Sequence, residues 1–67
     1  MNIEEAGELI KKRRMMLQID QRTLSEISGI AVHTLSNIEA GKGNPTVGTL
    51  DRVLEALGME LRIQIRE

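Results

Sequence analysis

Apolar residues recur every three or four positions through the first half of the chain, the spacing that places them on one side of a helix. The first such run predicts an amphipathic helix over about residues 3–16. A second, short helix is predicted for QRTLSEIS, with Leu24 and Ile27 inward and Asp20 as its N-cap, because a carboxylate there accepts from unpaired N–H groups. Gly29 is expected to end this helix, since glycine adopts the left-handed conformation without steric penalty.

Two further helices follow the same pattern. Residues 32–40 carry Leu35 and Ile38 on one side and end at the loop GKGNP. Thr46, which follows this loop, is a second candidate N-cap, and Gly58 is expected to end the helix that it begins. The inward positions of this fourth helix are predicted to be Val47, Leu50, Val53, Leu54 and Leu57.

The period changes at the end of the chain. Residues 59–66 alternate apolar and polar side chains without interruption, the pattern of a β-strand with one buried face. A single strand leaves its backbone groups unpaired, so a frayed tail is the less favoured interpretation. We expect antiparallel pairing with the same strand of a second copy, or else with another protein's sheet edge. The predicted dimer interface comprises Met59, Leu61, Ile63 and Ile65.

The predicted fold class is therefore all-α, with four to five short helices and a C-terminal β-strand that pairs across a homodimer. Residues 1–58 are assigned to the helical part and residues 59–67 to the dimerisation strand, within one domain. A length of 67 residues without any aromatic side chain limits the chain to one small aliphatic core. The absence of cysteine excludes disulfides, thiolate metal sites and thiol nucleophiles.

Charge and targeting signals narrow the class of protein. The net charge is −1, and the cations are concentrated in KKRR at residues 11–14, which is either a solvated helix end or a local patch facing phosphate. The N-terminus carries acids where a signal peptide needs cations, and no long apolar run follows. We expect a soluble, cytoplasmic protein with no membrane contact.

His33 is the single histidine and the first candidate for site chemistry. A metal site needs three or four ligands, and a catalytic histidine needs a partner group in a pocket. Neither is evident around His33. We expect no metal, no cofactor and no enzymatic activity.

The second and third helices, joined at Gly29 by a short connection, form a predicted helix-turn-helix. In that motif the outer side of the second of the two helices enters the major groove of DNA. Here that side carries small hydrogen-bonding groups in place of the Lys, Glu and Arg usual on a surface helix. Asn pairs with adenine, Val contacts a thymine methyl and His donates to guanine. The residues on this side are Val32, His33, Thr34, Ser36 and Asn37.

The order and spacing of GELIKKRR, IDQRTLSEISGI and HTLSNIEAGKGNPTVGTLDRVLEALG resemble the Xre or lambda-repressor-like helix-turn-helix family over residues 6–58. The ending ALGMELRIQI is similar to the HipB-type subgroup, in which a C-terminal strand pairs across the dimer. The resemblance implies a structural ion pair between Arg14 and Glu39. It also implies base contacts, and the candidate base-contacting residues are Val32, His33, Ser36 and Asn37. The candidate phosphate-contacting residues that it implies are Gln21, Arg22, Thr34, Lys42 and Asn44.

The chain departs from the family pattern at a few positions. Ala31 stands where the family usually has a Ser or Thr cap, and Gln18 replaces a common glycine before the second helix. Asp20, where the family usually has Thr, adds a negative charge near the expected phosphates.

The resemblance implies a transcriptional repressor that binds double-stranded DNA as a homodimer at a palindromic operator and regulates its own promoter. It also implies a bacterial or phage-derived protein that is associated with the nucleoid. The alternative that it implies is an antitoxin that binds and neutralises a HipA-type toxin kinase, a role compatible with repression of its own operon.

Overall fold

The computed structural model describes residues 2–66. Four helices follow in chain order: α1 (Ile3–Met16), α2 (Gln21–Ser28), α3 (Val32–Glu39) and α4 (Val47–Ala56). All four agree with the helices that the hydrophobic spacing predicts.

Side-chain caps fix where three of the helices begin. Asn2, Asp20 and Thr46 each accept a hydrogen bond from the backbone N–H three residues on, at the start of α1, α2 and α4. Gly29 ends α2 in the left-handed conformation, with φ of 74°. The helix boundaries therefore follow from local chemistry that the sequence already displays.

The core lies where the four helices meet. Its buried side chains are all aliphatic, as the absence of aromatic residues requires: Ile10, Leu24, Ile30, Leu35, Ile38, Val53 and Leu57. Helix α3 packs against α1 and α2, and α2 packs against α4. Each helix therefore contributes one side to the core and leaves the other free.

Two predicted inward positions are wrong. Val47 is 67% exposed and Ile27 is 59% exposed, although both fall in the apolar spacing of their helices. Val47 is the first residue of α4, before the part of this helix that reaches the core. The apolar side of each of these helices therefore includes positions that the neighbouring helices do not bury.

The C-terminal segment has no regular secondary structure. Within the described chain, residues 59–66 form neither helix nor strand, and Ile63 and Ile65 are 96% and 94% exposed. Met59 packs against the core, whereas the side chains beyond Leu61 have no neighbours to cover them. The predicted strand is therefore not formed by a single chain, which offers it no partner.

A close approach between helices is centred on Gly7. A Cβ atom built at Gly7 would lie 2.1 Å from the carbonyl oxygen of Ile38. Only a glycine lets α1 approach the backbone of α3 this closely. Hydrophobic spacing alone did not reveal this requirement.

Candidate nucleic-acid interface

Helix α3 is buried against the core on one side and exposed to solvent on the other. Leu35 and Ile38 are fully buried, while the side chains on the opposite side face solvent. The four candidate base-contacting residues, Val32, His33, Ser36 and Asn37, are all exposed. They form one continuous surface, which we call the α3 outer face.

The turn between α2 and α3 is fixed by a buried serine. The Ser28 hydroxyl donates to the carbonyl of Leu24 at 2.7 Å and accepts from the N–H of Ile30 at 3.2 Å. Ile30 is itself buried, so the turn is attached to the core on both sides of Gly29. The angle between α2 and α3 is thus set by packing and hydrogen bonds together.

Arg14 and Glu39 form a two-pronged ion pair between α1 and α3. Arg14 Nε donates to Glu39 Oε2 at 2.7 Å, and Nη2 donates to Oε1 at 2.9 Å. The side chains are only 12% and 4% exposed. The hydrogen bond to Glu39 raises the pKa of Arg14, so the guanidinium stays charged. This pair fixes the last turn of α3 against α1.

Hydrogen bonds also connect the ion pair to the residues between α1 and α2 and to the first residue of α2. Arg14 Nη1 donates to the carbonyl of Ile19 at 2.8 Å, and Gln21 Nε2 donates to Glu39 Oε1 at 3.2 Å. Glu39 therefore receives hydrogen bonds from two helices. Because Gln21 is half-buried in this network, its amide N–H is already engaged, whatever further contact its side chain makes.

Two of the four cations in the run KKRR make hydrogen bonds within the protein, and the other two are exposed to solvent. Arg13 Nε donates to the carbonyl of Leu57 at 2.9 Å, at the C-terminal end of α4, where unpaired carbonyls favour a cation. Arg14 is occupied by Glu39, and only Lys11 and Lys12 are exposed. Sequence reasoning missed the role of Arg13, because its partner lies 44 residues away along the chain.

The other candidate phosphate-contacting residues lie on α2, on α3 and in the loop after α3. Arg22 is exposed in the first turn of α2, and Thr34 is half-buried in α3. Lys42 and Asn44 are exposed in the loop that follows α3. The N–H of Lys42 donates to the carbonyl of Asn37 at 2.8 Å, which holds this loop against the end of α3.

Asp20 places a negative charge at the start of α2, next to the candidate phosphate contacts Gln21 and Arg22. Its carboxylate accepts from the N–H of Thr23 at 2.7 Å, and this hydrogen bond lowers the pKa of Asp20. The cap is therefore retained above the ordinary pKa of an aspartate and lost only as pH falls through the lowered value. At neutral pH the charge is present beside Arg22.

The start of α3 has no side-chain cap. Ala31 has φ of −59° and ψ of 145°, and it offers no acceptor to the N–H groups of the first turn. This is the position where the sequence departs from the family pattern. The first turn of α3 therefore keeps N–H groups that no capping side chain satisfies.

A core helix pair, a fixed turn and an outward second helix define the class of helix-turn-helix DNA-binding domains. The chain matches the family model described as helix-turn-helix (HTH_3) over residues 10–64, and it belongs to this Xre-like family. The protein is accordingly a DNA-binding transcription regulator by family. No curated protein matches the chain. Among the described residues, no helix is long and apolar enough to cross a membrane.

Proposed function

We propose that the protein represses transcription by binding duplex DNA as a homodimer at a palindromic operator, its own promoter among the targets. The observation that carries this proposal is the α3 outer face, which is exposed, projects from a fixed helix-turn-helix and carries no carboxylate or lysine. A helix of this kind fits the major groove of B-form DNA.

The side chains of the α3 outer face supply complementary base-reading groups. The Asn37 carboxamide suits the paired acceptor and donor of adenine, and the Val32 methyls suit a thymine methyl. His33 and Ser36 add donors that a guanine or a phosphate accepts. Base recognition here would depend on short side chains that must lie close to the groove floor.

Cations before and after α3 along the chain support the phosphate contacts. Arg22 is next to Gln21, whose amide donates to Glu39 at the end of α3, and the backbone N–H of Lys42 donates to the carbonyl of Asn37. Each neutralised phosphate makes the logarithm of affinity fall by about 0.9 for each unit of log salt. A two-fold dimer would place both α3 helices in successive major grooves, about 34–36 Å apart.

Fluorescence anisotropy with labelled duplexes tests the operator claim. The DNA is the region upstream of the protein's own gene, with a random duplex of equal length as the control. Asn37→Ala should lower discrimination between them by about 1–3 kcal/mol, because one bidentate base contact is lost. Equal affinity of the unmodified protein for both duplexes would contradict the proposal.

Lysine variants separate phosphate contact from general charge. Lys42→Ala should weaken binding to both duplexes and reduce the salt slope by about 1 per protomer. Lys12→Ala is the matched control, since it removes the same charge from a region of α1 beside Glu8 and Leu9. A reporter gene under the upstream region then measures repression itself, which should disappear with the Asn37 variant.

A second candidate function is that of an antitoxin that neutralises a HipA-type kinase. The exposed Ile63 and Ile65 favour it, since a protein partner would cover them. The discriminating observation is the neighbouring gene: a kinase-like product supports the antitoxin. Co-purification of that product with the protein, lost on Ile65→Ser, would establish the contact. If the protein represses transcription and no kinase-like gene lies next to its own, the repressor function stands and the antitoxin function is contradicted.

A further inference from the structure

The C-terminal residues 59–66, which we call the tail, lie against the helices only at their start. Met59 and Leu61 line an apolar groove between α1 and α4, together with Leu9 and Leu54. The Arg62 and Glu60 side chains are 70% and 67% exposed, and Arg62 Nε donates to Glu60 Oε1 at 2.8 Å. Ile63 and Ile65 continue the apolar alternation but are 96% and 94% exposed, so this part of the apolar side has no cover within one chain.

We propose that two tails pair antiparallel in a single register, in which Ile63 lies opposite Ile63 of the partner subunit. This inference rests on the homodimer of the proposed function and specifies how its two copies meet. The occupant of the groove beside the tail is then the second copy of this chain.

The apolar side of the tail restricts the register first. Residues directly opposite each other in an antiparallel pair lie on the same side of the sheet. A shift of the pairing by one residue would set every apolar side chain against a polar one. The two-fold axis must therefore set one residue directly opposite its own copy in the partner subunit. The central candidates for that residue are positions 61, 62, 63 and 64, and we name each register by it.

Charge then eliminates two of these positions. With the axis at Arg62, that guanidinium would oppose Arg62 of the partner subunit, and like charges directly opposite are destabilising. With the axis at Gln64, Arg62 would oppose Arg66 of the partner subunit, and this repulsion would occur twice by symmetry. Both registers place cations together on the solvent side.

The remaining choice is between Leu61 and Ile63. With the axis at Leu61, Ile63 lies opposite Met59 of the partner subunit, and the pairing of the two tails ends there. Ile65 then lies opposite a residue in the partner's turn after α4, outside the tail. With the axis at Ile63, the paired segment includes Ile65, which lies opposite Leu61 of the partner subunit. This register pairs more of the tail.

The solvent side excludes neither remaining register, since an axis at Leu61 would set Glu60 opposite Arg62 of the partner subunit, which is also an opposite-charge contact. With the axis at Ile63, Glu60 lies opposite Arg66 of the partner subunit, and Arg62 lies opposite the neutral Gln64 of the partner subunit. The symmetric pair yields two opposite-charge contacts and no like-charge contact. Because Leu61 lines the groove, the partner's Ile65 comes to the groove's edge and covers it.

Cysteine scanning tests the register directly, because the chain has no cysteine of its own. Single-cysteine variants at positions 61, 62, 63 and 64 are oxidised at equal concentration. A residue that faces itself has its two Cα atoms about 4.5–5.5 Å apart, within the span of a disulfide. A two-residue offset along the strands adds about 7 Å, which a disulfide does not span. Ile63→Cys should therefore cross-link roughly tenfold faster than the other variants.

Charge reversal provides an independent test by sedimentation equilibrium at low salt. Glu60→Arg should weaken the dimer roughly tenfold, and the added change Arg66→Glu should restore it. Arg62→Glu is the matched control and should leave the dimer within about twofold, since Gln64 is neutral. A dimer strengthened by Arg62→Glu would instead indicate an axis at position 64, where the new carboxylate lies opposite Arg66 of the partner subunit. A dimer weakened by it would indicate an axis at position 61, where the new carboxylate lies opposite Glu60 of the partner subunit.

The outcomes separate the register from the dimer. Fastest cross-linking at another position overturns the register. A dimer that cross-links at none of the four positions overturns strand pairing but not dimerisation. A protein that stays monomeric at all concentrations refutes the homodimer, whereas loss of operator discrimination is measured separately by anisotropy.

Discussion

The helical body and the tail contain the same kinds of aliphatic side chain in different situations. In the body, seven such side chains are buried among α1 to α4 and the turns beside them. In the tail, Ile63 and Ile65 are almost fully exposed. A helix satisfies its own backbone hydrogen bonds and needs only a neighbour for one side, whereas a strand needs a partner for both. The same chain thus contains a self-sufficient part and an incomplete part.

This contrast sets what substitutions should do. Changes inside the body are expected to alter the free energy of unfolding of one chain. Changes in the tail are expected to alter association and leave the chain's own folding intact. Urea titration followed by circular dichroism measures the first quantity, since the protein has no tryptophan or tyrosine for fluorescence.

Removing the buried ion pair should have the largest effect. Glu39→Ala leaves Arg14 without its carboxylate at a site that is 12% exposed, and is expected to lower the free energy of unfolding by about 3–5 kcal/mol. Glu60→Ala is the matched control, because it breaks an ion pair of 70% and 67% exposed side chains and should cost less than about 1 kcal/mol. Similar losses for both would contradict a special role for the body's pair.

A methyl group at the α1–α3 contact should have the next largest effect. Gly7→Ala brings a Cβ atom onto the carbonyl of Ile38, which cannot rotate away, and should destabilise the chain by about 3 kcal/mol. Gly48→Ala is the control, since the nearest atom there is Thr46 Oγ1 at 3.8 Å. In α4 this change should stabilise by about 0.5–1 kcal/mol, because alanine favours a helix. If Gly7→Ala were neutral, the close approach would be wrong.

Restoring the missing cap should have a smaller, stabilising effect. Ala31→Ser supplies an acceptor to the first turn of α3 and should raise the free energy of unfolding by about 1 kcal/mol. The same urea titration measures it. Asp20→Ala removes an existing cap from α2 and should shift the midpoint in the opposite direction.

The smallest effect on folding should come from the tail. Ile63→Lys at low protein concentration should change the free energy of unfolding by less than about 0.5 kcal/mol, because the side chain is 96% exposed. The same variant should abolish the dimer at high concentration, which sedimentation equilibrium measures. A large loss of stability in the monomer would show that the tail belongs to the body after all.

Sequence reasoning succeeded where local chemistry decides the structure. The helix bounds follow from apolar spacing and from Asp20, Gly29 and Thr46, all within a few residues of the boundary that they set. The exposure of the α3 outer face followed from the burial of Leu35 and Ile38 on the other side. These features need no knowledge of distant parts of the chain.

It failed where the contact is long-range. Arg13 was part of a possible phosphate patch until its partner Leu57 was known, and Gly7 had no visible reason to be glycine. Gln18 shows a subtler case: it stands in place of the family's glycine and still adopts a φ of 58°. The backbone conformation is therefore imposed by the connection between α1 and α2, not by the residue type.

The hydrogen bond from Arg13 to the Leu57 carbonyl has a mechanical consequence. It ties the end of α4 to α1, and the tail departs immediately afterwards, at Gly58 with φ of 72°. Met59 still packs against the core, and its N–H donates to the carbonyl of Leu54 at 2.8 Å, so in a paired dimer each set of helices would turn about the exposed residues that follow Leu61. A small rotation there is magnified along a molecule 39 Å in its longest dimension. The distance between the two α3 helices would thus be set by a segment that does not contact DNA. The same segment would determine which half-site separation the dimer recognises.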